Sequence, residues 1–264
     1  MERKKIMNKK AIFFDIDGTL LDHNKALPAS TKQAVMQLKE DGHFVGIATG
    51  RAPFMFESLR KELGIDTFIS FNGQYVVHEG TPIVRNALDQ GELEQLIGFA
   101  REQQHPLVYM DHEGMRANTE EHQDIHAALN SLKFEHPPQD KDYYRKKPLY
   151  QTLLFCREGE EQAYKDTFSA FDFIRWHEVS TDILPAKGSK AKGIEAMVEK
   201  MGLDPDDVYV FGDGPNDVEM IQASKHGIAM GNSVPETKAV ADFVTKDVSE
   251  DGVLHGLRHV GLLK

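Results

Sequence analysis

The chain is predicted to fold as an α/β protein: an open, mostly parallel sheet into which a second α/β module is inserted. Three observations carry that prediction. Apolar runs of four or five residues, Ala11–Phe14, Phe44–Ala48 and Val208–Phe211, have the length and composition of strands buried on both faces. Stretches with apolar residues at helical spacing accompany them, over 31–40 and 194–201. Between about residues 85 and 183 the strand–helix alternation becomes irregular, which marks a segment of different build.

Size and composition bound the possibilities. With 264 residues, 40% hydrophobic and 28% charged, the chain is an ordinary globular one, long enough for a large core and a second module. No run approaches the length of a membrane span. The first ten residues hold five basic side chains and no apolar core, so they are expected to be a solvated leader, not a secretory signal. A single cysteine, Cys156, excludes an intramolecular disulfide and fits a reducing cytoplasm, the expected location. The net charge of −11 argues against nucleic-acid or membrane-surface partners. If the ligand is itself an anion, local cations must reverse the field where it binds.

Taken in order, Ala11–Phe14 ends in Asp15-Ile16-Asp17-Gly18-Thr19. Ligands of open parallel sheets bind beyond the carboxyl ends of the strands, so these carboxylates stand where chemistry is expected. Asp15 and Asp17 are two apart and lean to one side of an extended chain. Two anions so close call for a cation or a proton between them, and a hard ion such as Mg²⁺ accepts oxygen ligands so arranged. An acidic Asp-Gly turn is the plainer alternative. Next, Pro28-Ala29-Ser30 reads as a helix entry with Ser30 as N-cap, carried on by Ala34, Val35 and Leu38 and closed by Gly42. Phe44–Ala48 runs into Thr49-Gly50-Arg51: a hydroxyl, an exposed amide and a guanidinium, three donors suited to phosphate oxygens, or an ordinary loop. Pro53 suits the first turn of a following helix. Thr67–Phe71 is a third strand. Asn72-Gly73 then reads as a tight turn into a further strand at Tyr75–His78.

Within the irregular segment, Leu88, Leu93, Leu96, Ile97 and Phe99 mark a helix and Leu107–Met110 a strand. A second helix is expected over 125–132, a charged loop over 140–147, a strand over 149–156, a helix over 163–171 and closing strands over 173–176 and 179–184. His122 and His126 have the spacing of zinc ligands on a helix, but Gln123 stands where the helical zinc-protease pattern requires glutamate, so they read as surface or packing groups. Arg145-Lys146-Lys147 reads as a solvated loop before it reads as an anion site. After Pro185, three lysines (Lys187, Lys190 and Lys192) crowd the start of a helix that carries Ile194, Met197, Val198 and Met201 and ends at Gly202. Cations there oppose the helix dipole, a local conflict that a bound anion would resolve. Val208–Phe211 ends in Gly212-Asp213-Gly214-Pro215-Asn216-Asp217, two more carboxylates and an amide on a glycine-rich turn. A strand at 227–232, a helix at 235–241, an edge strand at 243–245 and a last helix led by Asp251-Gly252-Val253 complete the chain.

These segments together resemble the haloacid dehalogenase-like (HAD) superfamily. Asp15-x-Asp17-Gly18-Thr19, Thr49-Gly50-Arg51, the lysine before the 194–201 helix, and Gly212-Asp213-x-x-Asn216-Asp217 are similar to its four motifs, in the family's order. An insertion between the second and third motifs looks like the large α/β cap of Cof-type HAD phosphatases. The resemblance implies a Rossmann-like HAD core over 1–84 and 184–264, with a cap that sets specificity over 85–183. By the family's lysine-to-glycine spacing, Lys190 matches the third motif, with Lys192 as the fallback.

For function the resemblance implies a Mg²⁺-dependent phosphatase acting on small phosphate esters through an aspartyl-phosphate. Asp15 would be the nucleophile and Asp17 the general acid and base. Mg²⁺ would be held by the Asp15 carboxylate, the Asp17 carbonyl and Asp213. Thr49, the Gly50 amide, Lys190, Asn216 and the Ile16 amide would hold the phosphate oxygens, with Asp217 bracing Lys190 from behind. In this subgroup an Asn-Gly such as Asn72-Gly73 faces the substrate cleft. A phosphosugar mutase is the alternative, since related folds use the same first motif for transfer within one sugar. A non-catalytic phosphate-binding protein would be expected to lack Asp15 or Asp17. Neither the leaving group nor the oligomeric state can be read from the residues.

Overall fold

All four side chains of strand β1 (Ala11–Phe14) are completely buried, so the sheet is covered on both faces around its first strand. Each buried Ile or Phe there contributes about 1.5–3 kcal/mol from water exclusion. The computed structural model describes residues 9–264, so the expected leader lies, but for Lys9 and Lys10, outside the described residues. Helix α1 (Ala29–Glu40) buries Thr31, Ala34, Val35 and Leu38. Its N-cap is Pro28 and not Ser30, which lies inside the first turn; proline's fixed φ suits the extended entry. Strand β2 (Phe44–Ala48), helix α2 (Glu57–Leu63) and strand β3 (Phe68–Ser70) follow, then β4 (Tyr75–His78) and β5 (Thr81–Arg85).

The next elements are α3 (Gln90–Glu102), β6 (Leu107–Met110), β7 (Met115–Ala117), α4 (Gln123–Ser131), α5 (Tyr143–Lys146), β8 (Gln151–Leu154), α6 (Gln162–Thr167), β9 (Phe171–His177) and β10 (Ser180–Pro185). Strand β7 lies where periodicity shows nothing, and α5 is a helical turn inside the expected charged loop. The chain then returns through α7 (Lys190–Met201), β11 (Val208–Gly212), α8 (Val218–Ala223), β12 (His226–Ala229), α9 (Pro235–Val240), β13 (Phe243–Val244) and α10 (Gly252–His259).

The chain forms two units. One takes the described residues up to Gly50, Glu57–Val84 and Ser189–Lys264; the other takes Arg51–Phe56 and Arg85–Gly188. In the first, eight strands lie in the order β13-β12-β11-β1-β2-β3-β4-β5, and β13 through β3 are parallel. From β1 the chain moves one way to β2 and β3, and after the insertion returns on the other side as β11. The strand order therefore switches at β1, the place where open α/β sheets bind ligands. Register fixes what meets there: Phe14 pairs with Phe211 on one side and Ile47 on the other. Just beyond these paired positions come Asp15, Gly212-Asp213 and Ala48-Thr49, drawn from three segments of the chain.

The second unit is a five-stranded sheet ordered β7-β6-β8-β10-β9, its recorded pairs antiparallel. Leu93, Leu96 and Ala100 of α3 and Tyr164 of α6 pack with Tyr109, Leu154, Phe173 and Ile183 into its core. The features singled out there find partners within the unit. His122 accepts the Asp124 amide as N-cap of α4, and His126 pairs with Glu121. Arg145 pairs with Glu94, Lys146 with Asp140, and Lys147 with Asp111 and Glu113. Cys156 is a buried free thiol, and burial pushes its pKa up. Among the described residues no helix is long and apolar enough to cross a membrane.

Candidate active site

Asp15 is anchored by its own backbone, its amide donating to the Phe211 carbonyl at 2.9 Å, so β1 and β11 stay paired to the first residue of the loop. The chain then folds tightly back: Leu21 N donates to Ile16 O at 2.8 Å and Gly18 N to Leu21 O at 2.9 Å. Gly18 sits at φ +79, and a Cβ there would lie 2.2 Å from Asp213 Oδ2. Only glycine lets this turn approach the β11 loop so closely.

Asp213 is held from several directions. Thr19 Oγ1 donates to its Oδ1 at 3.4 Å, and Asn232 Nδ2 reaches its Oδ2 at 3.3 Å. Asn232 also donates to the Gly18 carbonyl at 2.8 Å and accepts from the Val248 amide at 2.9 Å. It thus ties the β1 turn, the β11 loop and the last segment of the chain together. Asp217 folds over its own loop, its Oδ2 accepting from the Asp213 and Gly214 amides, each at 2.9 Å. It is fully buried.

Lys190 enters from α7. Ser189 caps that helix by accepting from the Lys192 amide, which sets Lys190 at the first helical position. The helix start presses on the turn after β3: a Cβ on Gly73 would lie 2.1 Å from the Ser189 carbonyl oxygen. Driven inward, Lys190 is 1% exposed, its Nζ 2.6 Å from Asp15 Oδ1 and 2.7 Å from Asp217 Oδ1. Lys192 is exposed on the helix surface. Lys190, and not Lys192, meets the carboxylates.

The electrostatics follow from crowding. Burial disfavours the Lys190 ammonium, but Asp15 and Asp217 outweigh it and raise its pKa above the ordinary lysine value. Burial pushes the Asp15 carboxyl well above the usual range, Lys190 pulls against it, and Asp217, Asp213 and Asp17 push it further up. Burial and then the charge of Asp217 push Asp213 up to about 7. Oxygens of Asp15, Asp213 and Asp217 lie within 4.8 Å of one another. Three carboxylates against one ammonium leave excess negative charge in a set of oxygen donors, and a hard divalent cation such as Mg²⁺ fits that chemistry.

The remaining expected residues take these places. Thr49, 1% exposed, continues β2 beside Asp15, and its carbonyl accepts from the Asn72 amide at 3.1 Å. A Cβ on Gly50 would lie 3.1 Å from the Asn72 side chain. Asn216 donates to Asn72 Oδ1 at 3.0 Å. Ile16 is buried directly after Asp15. Asp17 stands outside the carboxylate triad, paired with Lys25 at 2.5 Å. Two residues at the site, Lys25 and Asn232, are not singled out by the motifs, and Thr19 enters there only as the last residue of the first motif. Asn72 was legible chiefly as a turn, and its φ of 51 is the left-handed conformation for which asparagine is suited.

Comparison with known proteins places this arrangement in context. A family model described as haloacid dehalogenase-like hydrolase matches residues 12–257. The chain is 47% identical over 258 residues to the protein named "Putative phosphatase YkrA" of Bacillus subtilis (strain 168), covering 98% of this chain and 100% of that one. Among solved structures, a hypothetical protein from Geobacillus kaustophilus HTA426 superposes with TM-score 0.93 at 55% identity, over 97% of this chain and 100% of that one. The HAD subclass IIB sugar phosphatase BT4131 superposes with TM-score 0.85 at 27% identity, over 97% of this chain and 100% of its own. A match over nearly the full length, with motif-bearing loops meeting at the switch point of the sheet, means that the chain belongs to the haloacid dehalogenase-like hydrolases.

Proposed function

We propose that the chain is a Mg²⁺-dependent phosphatase that hydrolyses small phosphorylated metabolites, sugar or cofactor phosphates, through an aspartyl-phosphate on Asp15. The observation that carries this reading is the buried Lys190 ammonium set between Asp15 and Asp217, with Asp213 in the same cluster. A phosphate dianion needs local positive charge, and in a chain of net charge −11 that ammonium supplies part of it.

Asp15 attacks phosphorus through a carboxylate oxygen, forming the acyl-phosphate bond as the phosphorus–oxygen bond to the leaving group breaks. Asp17 gives the departing oxygen a proton. In the second half-reaction Asp17 takes a proton from water, whose oxygen attacks phosphorus and returns Asp15 to its carboxylate. Thr49, the Gly50 and Ile16 amides, Lys190 and Asn216 hold the equatorial oxygens. Asp217 has both oxygens engaged, by Lys190 on one and two backbone amides on the other, which suits it to bracing. Mg²⁺, held by the Asp15 carboxylate, the Asp17 carbonyl and Asp213, would when bound draw charge from the phosphoryl oxygens. The unit inserted between β5 and α7 carries the choice of leaving group. The sugar phosphatase among the structural relatives supports the substrate class.

A panel of phosphorylated metabolites, assayed for free phosphate with Mg²⁺ and with excess chelator, tests this. Release from sugar or cofactor phosphates that stops in chelator is expected. Isomerisation of a sugar phosphate without free phosphate would contradict it.

A further inference from the structure

We infer that Asp182 and Gln151 are a hydroxyl-binding pair of the inserted unit, selecting phosphate esters whose leaving group is a polyol, such as a sugar. This rests on the proposed function, in which that unit chooses the leaving group. Register sets the pair on one face of the five-stranded sheet. Asp182 of β10 stands opposite Leu153 of β8 and Ile174 of β9, and Gln151 stands opposite Met110 of β6. Partners in an antiparallel ladder share a face, as do alternate residues of one strand. Gln151, two before Leu153, is therefore the diagonal neighbour of Asp182, and it donates a hydrogen bond to that carboxyl. Tyr109, Leu154, Phe173 and Ile183 lie on the opposite face, in the apolar core of the unit, so the polar pair stands apart from that core.

The same unit shows how a buried carboxylate is held when its role is structural. Asp111 accepts from the Glu113 and Gly114 amides, each at 2.8 Å, and from the Tyr143 hydroxyl at 2.9 Å, with Lys147 Nζ at 3.2 Å. Burial raises the Asp111 pKa, but those partners outweigh it and hold the carboxyl below its usual range. Among the described residues the Asp182 carboxyl has the one bond from Gln151 and no cation beside it, and burial pushes it up to about 8. Gln151 is 4% exposed, and its Oε1 is buried with no partner among the described residues. Buried polar groups so short of partners call for an explanation, and a ligand supplies one. Asp182 is half-buried, so a ligand can reach it. Protonated at neutral pH, its carboxyl both donates and accepts, and Gln151 Oε1 accepts. Neighbouring hydroxyls, each a donor and an acceptor, match that set. A phosphate group, which needs cations, finds none beside it.

The test uses the full chain with saturating Mg²⁺. It compares 4-nitrophenyl phosphate, whose leaving group has no further hydroxyl, with whichever of ribose 5-phosphate, glucose 6-phosphate and sorbitol 6-phosphate the parent cleaves best. Gln151→Leu and Asp182→Leu are each expected to lower kcat/KM for the polyol ester about tenfold relative to the aryl ester. Asp182→Asn, which still donates and accepts, should keep more of that ratio, and it serves where the leucine variant fails to fold. In the double variant the loss should be smaller than the product of the two, because the pair grips one ligand. An unchanged ratio, an equal loss on both esters, or a parent that cleaves the aryl ester and no polyol ester would each overturn the inference. So would a parent preference for glucosamine 6-phosphate that Asp182→Asn abolishes, which marks an ammonium site. Calorimetric titration of glucose 6-phosphate in chelator separates this from the reading beneath it, and affinity about tenfold weaker in Gln151→Leu is expected. A parent that releases no phosphate from any ester overturns the phosphatase reading. Equal affinity of parent and variant overturns the role of the pair.

Discussion

Lys190 Nζ lies 2.6 Å from Asp15 Oδ1 although 175 residues separate the two, and both side chains are almost wholly shut off from solvent. The same ammonium serves Asp217, so its removal would strand two buried carboxylates. Lys190→Met is therefore expected to destabilise the protein by about 3 kcal/mol, as breaking a buried pair does. It should also lower phosphate release at least about a hundredfold. Urea unfolding and a phosphate assay on the same preparation check both. A variant as stable and as active as the parent would mean that the ammonium is not the partner of this cluster.

Asp213 offers carboxylate oxygens beside Asp15 on a loop braced by Thr19 and Asn232. Asp213→Asn should weaken Mg²⁺ binding, measured by calorimetry without substrate, by about tenfold or more, as loss of a charged oxygen ligand does. Equal affinity in parent and variant would remove Asp213 from the metal site.

Gly18→Ala addresses the close approach of two loops. The new Cβ would lie 2.2 Å from Asp213 Oδ2, in a backbone conformation that alanine resists. A loss of about 1–3 kcal/mol in stability and a fall in kcat are expected, read by thermal unfolding and steady-state kinetics. Parent-like kcat would show that the β11 loop yields without consequence.

Asp182 on β10 gives a pH-dependent prediction independent of the catalytic cluster. Burial pushes its carboxyl up to about 8, with the Gln151 hydrogen bond pulling weakly the other way. The unfolded carboxyl titrates near about 4. Between these values the folded chain binds a proton that the unfolded chain does not, so stability falls as pH rises through that window. Asp182→Asn should be neutral near pH 4 and stabilising by about 1–2 kcal/mol near pH 8, an amount reduced from the full shift because the side chain is partly exposed. Equal melting-temperature differences at the two pH values would contradict it.

How much of this could be read in advance depends on how local the cause is. Ala11–Phe14 followed by Asp15 was legible because burial on both faces and an abrupt polar end are written in adjacent residues. Asn72 was legible as a turn and, through the resemblance alone, as a residue facing the cleft; its bond to Asn216 was not, because it spans 144 residues. The choice between Lys190 and Lys192 rests in the structure on the Ser189 cap and the press of α7 against Gly73, and neither is visible in helical periodicity. Strand β7, three residues long with Arg116 at its centre, is too short to show a period. Helix α5 hid within a charged run because Tyr143 and Tyr144, and not its charges, decide its burial. Lys25 gave no sign, since its reach to Asp17 depends on a left-handed residue that sequence does not announce.

The central claim is that Asp15 forms a covalent bond to phosphorus, and Asp15→Asn with Mg²⁺ and 4-nitrophenyl phosphate tests it most directly. The account predicts that phosphate release falls to background while the circular dichroism spectrum and melting behaviour remain those of a folded protein. Release by a folded Asp15→Asn chain at the parent rate would contradict it.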